Sequence, residues 1–287
     1  MFKTPRCIAL SLIGALALGI PIATAMEVGV SPPRFEIEFN NKTRTQSLNV
    51  TNLSSKPVEM KAYVRTWTTT EDNKFQEAQS TEQSLDRWIV FTPSRFTIPP
   101  RSSQTIRFEI RPKVKPSPGE HRAVLYLEEV PPGGEDSQAV VAIGRLGVVI
   151  YGYSGEIKRV GALNSVRVDT KPNGATAVFD ISSTGNAHVR VKGQYAIWSA
   201  AKYPGAAATK ALPDVENPQA KLPENVLNAG LLDFSAVLPG TRRQLLLPIS
   251  KKLPPGKYVL DINGDLSGTR IDQGIPFTIP ASSATQK

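Results

Sequence analysis

Apolar residues recur at every second position along most of the chain. Leu48 and Val50 alternate with polar neighbours in QSLNVTN, as do Val58, Met60, Ala62 and Val64 in PVEMKAYVRTW. Phe108 and Ile110 follow in TIRFEIRP, then Ala123, Leu125 and Leu127 in RAVLYLEEV. A period of two sends successive side chains to opposite faces, so each segment predicts a strand with one buried face. Between them NLSSKP, IPPRSS, KPSPGE and PPGGED carry the Pro, Gly, Asn and Ser that end strands. After YGYSG the pattern starts again in ATAVFDIS, NAHVRVKGQYAIW, RRQLLLPIS, GKYVLDIN and GIPFTI. The expected fold class is all-β, two sandwich domains spanning 26–152 and 153–287 and meeting near Gly152. The Ala- and Pro-rich segment KYPGAAATKALPDVENPQAKLPEN reads as a long loop of the second domain. Leu227, Leu231, Phe234 and Leu238 have helix-like spacing, which Gly230 opposes.

One stretch breaks the alternation. AVVAIGRLGVVIYGY, residues 139–153, has a single charge, Arg145, and apolar side chains at both parities. Val141 and Ile143 fall on one side; Val140 and Ala142 fall on the other, continued by Val148 and Ile150. Two readings fit this composition. The strand is buried on both faces within its own fold, or its second face is covered by another molecule, because an uncovered aliphatic strand invites aggregation.

The N-terminus changes the setting. Lys3 and Arg6 precede an apolar run from Ile8 to Ile20 that ends in Ala23-Thr24-Ala25, the pattern of a secretory signal (1–25) cleaved after Ala25. That run is shorter than the roughly 20 residues of a membrane span, and no later run is long enough, so a soluble exported product is expected. The chain's single cysteine, Cys7, leaves with the signal, so the 262 remaining residues hold no thiol and stability must come from packed cores. Loss of Lys3 and Arg6 takes the formal net charge from +9 to +7. The cations are dispersed, and in the densest stretch Arg107, Glu109 and Arg111 alternate with Ile106, Phe108 and Ile110 as the outer face of a strand. Nucleic acid is therefore not an expected partner.

Catalytic signatures are missing. The two histidines, His121 and His188, sit in strand-like segments with no acidic or nucleophilic motif beside them, and read as partly exposed strand residues. No G-x-S-x-G elbow, H-E-x-x-H helix or phosphate-cradling glycine loop occurs. GGED (133–136) and DINGD (261–265) have too few oxygens for a calcium loop and read as turns. Glu128 and Glu129 are adjacent in a strand and point to opposite faces, which does not suit a hydrolase groove. No enzyme, cofactor or metal site is expected. The acidic stretch Thr69–Asp86 reads as a solvated connection between strands.

The order of segments VSPPRFEIE, LNVTNLSSKPVEMKAYVRTW, FTPSRFTIPPRSSQTIRFEIRP, HRAVLYLEEVPP and IGRLGVVIYGY, from about Val28 to Tyr153, resembles the periplasmic pilus-assembly chaperones of the chaperone/usher pathway. LPGTRRQLLLPISKKLPPGKYVLDINGD is similar to the second sandwich of the less standard branches. The resemblance implies two immunoglobulin-like sandwiches set at an angle with a cleft between them. There a pilin subunit lacking its last strand borrows the chaperone's G strand, a case of strand addition, with Val140, Val141, Ala142 and Ile143 as donor residues. It further implies delivery to an outer-membrane usher and a periplasmic location, and leaves open whether the free protein caps its own strand as a homodimer. In the family an Arg on the first strand and a Lys on the G strand hold the subunit's terminal carboxylate. Arg34 matches the first, but Leu146, Gly147, Val148 and Val149 supply no Lys, leaving Arg145, two residues from Gly147 on the same face, as the stand-in. The alternative is a structural or adhesive two-domain module that binds a surface glycan or polymer.

Overall fold

The computed structural model of the protein describes residues 27–39, 45–70, 73–131, 143–171, 174–217, 219–249 and 252–281. The expected signal (1–25), GGED and the donor residues Val140, Val141 and Ala142 lie outside the described residues. The chain forms two immunoglobulin-like β-sandwiches. The first contains β1 (Val28–Ser31), β2 (Arg34–Glu38), β3 (Thr45–Asn52), β4 (Val58–Arg65), β5 (Trp67–Thr69), β6 (Phe75–Glu77), β7 (Ile89–Thr92), β8 (Arg95–Ile98), β9 (Ser103–Ile110), β10 (Gly119–Glu129) and β11 (Arg145–Ser154). Its sheets run β1-β3-β9-β7 and β2-β11-β10-β4-β8, with β5 and β6 as a separate hairpin. The second contains β12 (Gly161–Lys171), β13 (Gly174–Ser183), β14 (Val191–Ser199), β15 (Val226–Leu231), β16 (Arg242–Ile249), β17 (Gly256–Leu266) and β18 (Thr269–Ile279). Its sheets run β12-β13-β16 and β15-β14-β17-β18. The chain leaves β11 at Ser154, just beyond Gly152, and enters β12 at Gly161.

The period-two residues build the cores. Leu48 and Val50 of β3, Ile106 and Phe108 of β9, Met60 of β4 and Ala123, Leu125 and Leu127 of β10 interdigitate between the two sheets of the first sandwich. Full burial of each large aliphatic side chain contributes about 1.5–3 kcal/mol before entropy costs, which lets a domain without disulfides hold together. Phe179, Ile181, Ile197, Leu260 and Ile262 do the same in the second sandwich. β10 is unusual because Val124 and Tyr126, on its other face, are buried too, in a separate apolar cluster.

Three expectations are corrected. Leu227 and Leu231 lie in a strand, β15, rather than a helix. Gly230 pairs with Tyr195 there, and a Cβ at residue 230 would come within 2.8 Å of the tyrosine ring, so the glycine serves a close strand contact. DINGD continues β17, whose reversal comes at Ser267–Gly268. Both histidines are buried, His121 in the first sandwich between the carbonyls of Gln83 and Ser117, and His188 at the domain boundary.

Asn52 closes the turn after β3. Fully buried, it donates to the carbonyls of Lys56, Ile98 and Pro99 at 2.7, 3.0 and 3.1 Å and accepts from Ser54 N–H and Oγ–H. It therefore joins NLSSKP to the end of β8, and its loss would leave buried carbonyls unpaired. Asn52→Ala is expected to lower stability by about 3 kcal/mol, read from the shift of the urea midpoint at unchanged slope.

Candidate functional site

The apolar run that broke the alternation divides in two. From Val149 to Tyr153, β11 is paired on both edges, antiparallel to β10 and parallel to β2. Val148 and Ile150 point into the first core, while Val149, Tyr151 and Tyr153 point into the second apolar cluster. This half is sealed by its own chain on both faces. From Arg145 to Val148 only β10 pairs with β11. Among the described residues no strand occupies the other edge, because β2 starts opposite Val149, at Arg34. Ile143, the one donor residue that is described, is half exposed at 51%. An unpaired edge beside an exposed aliphatic side chain is a template for strand addition.

The same face of the sheet docks the second domain. Trp67, Val124, Tyr126, Tyr151 and Tyr153 from the first sandwich pack with Ala187, Ala236 and Leu238 from the second. Thr69–Asp86, expected as a solvated connection, contributes the β5–β6 hairpin, whose Phe75 stacks on Trp67 at 4.7 Å. Beside it, Arg243 Nε donates to Asn73 Oδ1 at 2.6 Å across the boundary. Glu120, at the start of β10, has a fully buried side chain that accepts from His188 Nδ1 at 2.6 Å, His188 N–H at 2.8 Å and Arg122 Nη1 at 2.9 Å. Burial pushes the Glu120 carboxyl upward, but its bonds to His188 and Arg122 outweigh this and hold it below the ordinary glutamate range.

Beside this lock lies a cleft of about 290 Å³ between the sandwiches. Arg34 and Glu36 of β2 face Arg159, His188, Arg190, Lys192, Asp265 and Ser267 across it. Glu36 balances part of the charge, 3.4 Å from Arg34 and 3.9 Å from Arg159. With four cations against two carboxylates, the cleft is suited to an anion that a guanidinium can grip with two hydrogen bonds. The ring of Tyr151 packs on that of His188 at 4.3 Å; burial first, against the pull of Arg190, pushes its phenol up to about 12, so it stays a neutral acceptor for Arg190 Nη2 at 3.1 Å.

Arg34 lies in this cleft, and Arg145 does not. Arg145 pairs in register with Glu128, four positions before the Val149–Arg34 pair, or roughly 13 Å along the strand. Its guanidinium stacks on Tyr126 at 4.5 Å and donates to Tyr63 Oη at 3.3 Å. Arg159, Arg190 and Lys192 were missed in the sequence reading. A signal for two of them exists in HVRVK, where His188, Arg190 and Lys192 share one parity against Val189 and Val191.

Residues 29–146, nearly all of the first sandwich, match the family described as pili and flagellar-assembly chaperone, PapD N-terminal domain. The first sandwich is thus similar to the N-terminal domain of pilus-assembly chaperones. The match ends on β11 within the unpaired edge. No curated protein matches the sequence. Solved structures with a similar arrangement include the CsuC–CsuE chaperone–tip subunit pre-assembly complex of Acinetobacter baumannii, at 13% identity over 89% of this chain and 99% of that one, with a TM-score of 0.42. The Salmonella enterica SafB chaperone complex with SafA pilin gives 12% identity over 90% and 99%, TM-score 0.40. The Pseudomonas aeruginosa CupB2 chaperone gives 11% over 88% and 100%, TM-score 0.40.

The docking lock of the first sandwich has a pH signature. A carboxyl whose folded pKa is depressed stabilises fully above its unfolded value, and that contribution fades as pH falls through the folded value. Acidification from about pH 6 to about pH 3 is expected to lower wild-type stability more than that of Glu120→Gln, measured by urea unfolding at each pH. Glu120→Ala, which strips a buried pair of one partner, is expected to cost about 3–5 kcal/mol at neutral pH.

Proposed function

We propose that the protein is a periplasmic chaperone that lends the free edge of β11 to pilin subunits by donor-strand complementation and passes them to an outer-membrane usher. Its role as a chaperone in pilus assembly follows from the family of its first domain. The finer reading rests on one observation, the β11 edge that is unpaired over Arg145–Val148 and stops where Arg34 begins. On this reading residues 1–25 direct export and are removed, 26–152 carry the donor strand, and 153–287 close the cleft.

The geometry favours one mode of binding. β2 already pairs parallel to β11, so a guest strand laid parallel along Ile143–Val148 continues an existing ladder and is directed with its C-terminal end toward Arg34. Main-chain hydrogen bonds set its register, and alternate apolar side chains around Val141 and Ile143 give affinity. Burial of three or four such side chains contributes roughly 5–10 kcal/mol gross, before ordering costs. A guest whose chain ends there delivers its α-carboxylate to the cleft. We assign the anchor to Arg34 with Arg190 and Lys192 of the second sandwich, taking the part that Arg145 was expected to play.

Two experiments test this. Co-expressed with a pilin subunit, the wild type is expected to protect it from periplasmic proteolysis; the Val141→Asp and Ile143→Asp double variant is expected to lose that protection, and intact protection would sink the donor-strand role. For the anchor, Arg34→Ala is expected to weaken subunit capture by at least about tenfold while Arg145→Ala changes it by less than about threefold, measured by pull-down titration. The reverse ranking would return the anchor to Arg145.

A further inference from the structure

We propose that Glu120 and His188 are positioning residues for Arg190: a buried carboxylate of the first sandwich fixes the tautomer of an imidazole in the second, and that imidazole aims the guanidinium into the cleft. The inference rests on the carboxylate-anchor reading above and adds to it a reason why the anchor exists only when the two domains are docked.

The hydrogen bonds determine the protons. Arg190 Nε–H donates to His188 Nε2 at 3.3 Å. A guanidinium has no lone pair to accept a proton in return, so Nε2 must be the bare nitrogen and the ring proton sits on Nδ1. There it is donated to Glu120 Oε2 at 2.6 Å, and the same oxygen accepts the His188 backbone N–H at 2.8 Å. One carboxylate oxygen thus fixes both the ring and the chain that carries it. Glu120 is held in turn by Arg122 at 2.9 Å and by its own N–H, which donates to Asn186 O at 2.9 Å across the boundary. With the Glu120 side chain fully buried and that of His188 at 3% exposure, water cannot take over either bond.

Arg190 is held at three points: besides Nε on His188, Nη2 donates to Tyr151 Oη at 3.1 Å and Nη1 to Phe234 O at 3.4 Å, and only the His188 contact is tied through Glu120 to the first sandwich. Glu36 and Asp265 line the same cleft and compete for the cation. A guanidinium captured by either would have fewer free N–H groups to offer a guest carboxylate. A neutral acceptor at His188 Nε2 holds Arg190 away from them without cancelling its charge.

The test uses the full chain and two synthetic probes, an alternating Thr–Val octapeptide with a free α-carboxylate and the same peptide with a C-terminal amide. Wild type is expected to prefer the carboxylate by about tenfold. His188→Phe is expected to abolish the preference, and His188→Gln, whose amide can donate to Glu120 and accept from Arg190, to restore most of it. In an Arg190→Gln background His188→Phe is expected to change nothing further, because the two act as one unit. A wild type that does not distinguish the probes overturns the anchor and this inference with it. A wild type that does, together with a His188→Phe variant that keeps the preference or effects that add in full, overturns the positioning role alone. Nitrogen-15 shifts of His188 in the unmutated protein give a readout independent of any variant: the Nδ1-protonated tautomer is expected, and the Nε2-protonated tautomer overturns the proposal.

Discussion

A strand inside a sheet must find partners for the N–H and C=O groups on both edges, and an edge that does not is exposed to any chain able to supply them. β11 meets this requirement over Val149–Tyr153 and, among the described residues, does not meet it over Arg145–Val148, because β2 joins it only from Arg34 onward. The rest of the molecule can be read as managing that one shortfall. The first core keeps Val148 and Ile150 fixed, so the open segment is presented on a rigid strand rather than a mobile loop. The second sandwich covers the side chains of Val149, Tyr151 and Tyr153, which would otherwise extend the sticky face along the whole strand. What stays open is short and has a defined end, and at that end stands a cluster of cations.

Docking of the two sandwiches is therefore part of the site rather than a support for it. The apolar cluster centred on Trp67 and Tyr151 supplies area, but apolar contact alone is non-directional and would tolerate a range of domain angles. Direction comes from Glu120, whose carboxylate binds one residue of each sandwich, and from Arg243 against Asn73 on the β5–β6 hairpin. Buried polar contacts of this kind add little net stability when complete and cost much when broken. They favour a single arrangement, the one in which Arg34 faces Arg190 and Lys192.

The fold was legible because most strands have one wet face. Leu48 and Val50, Ile106 and Phe108, and Ala123 with Leu125 and Leu127 occupy the core as their alternation required. Legibility fell where a strand meets something on both faces. The 139–153 run left two readings open; Val149–Tyr153 is sealed within the chain, and Arg145–Val148 has no second edge partner among the described residues. The Glu120–His188 pair was invisible, since 68 residues separate its members. Leu227 to Leu238 misled by spacing, because residues four apart share a face in a strand as well as in a helix, and the strand was selected by the fit of Gly230 against Tyr195.

On the proposed assignment, in which the second cation comes from the other domain rather than from β11, a physical consequence follows. A lysine on β11 would place both charges of a clamp on neighbouring strands of one sheet, formed whenever the first sandwich folds. Here Gly147 leaves that position bare, and the ring of Tyr126, its register partner, lies 3.5 Å from where a Cβ would be, with Arg145 stacked above it. The first sandwich alone thus contributes Arg34 with its counter-ion Glu36, nearly neutral together. Excess positive charge appears only when Arg190 and Lys192 are brought opposite by docking. Anion binding and domain docking are then linked, and by reciprocity an anion bound in the cleft must strengthen the docking by the same factor that docking strengthens anion binding.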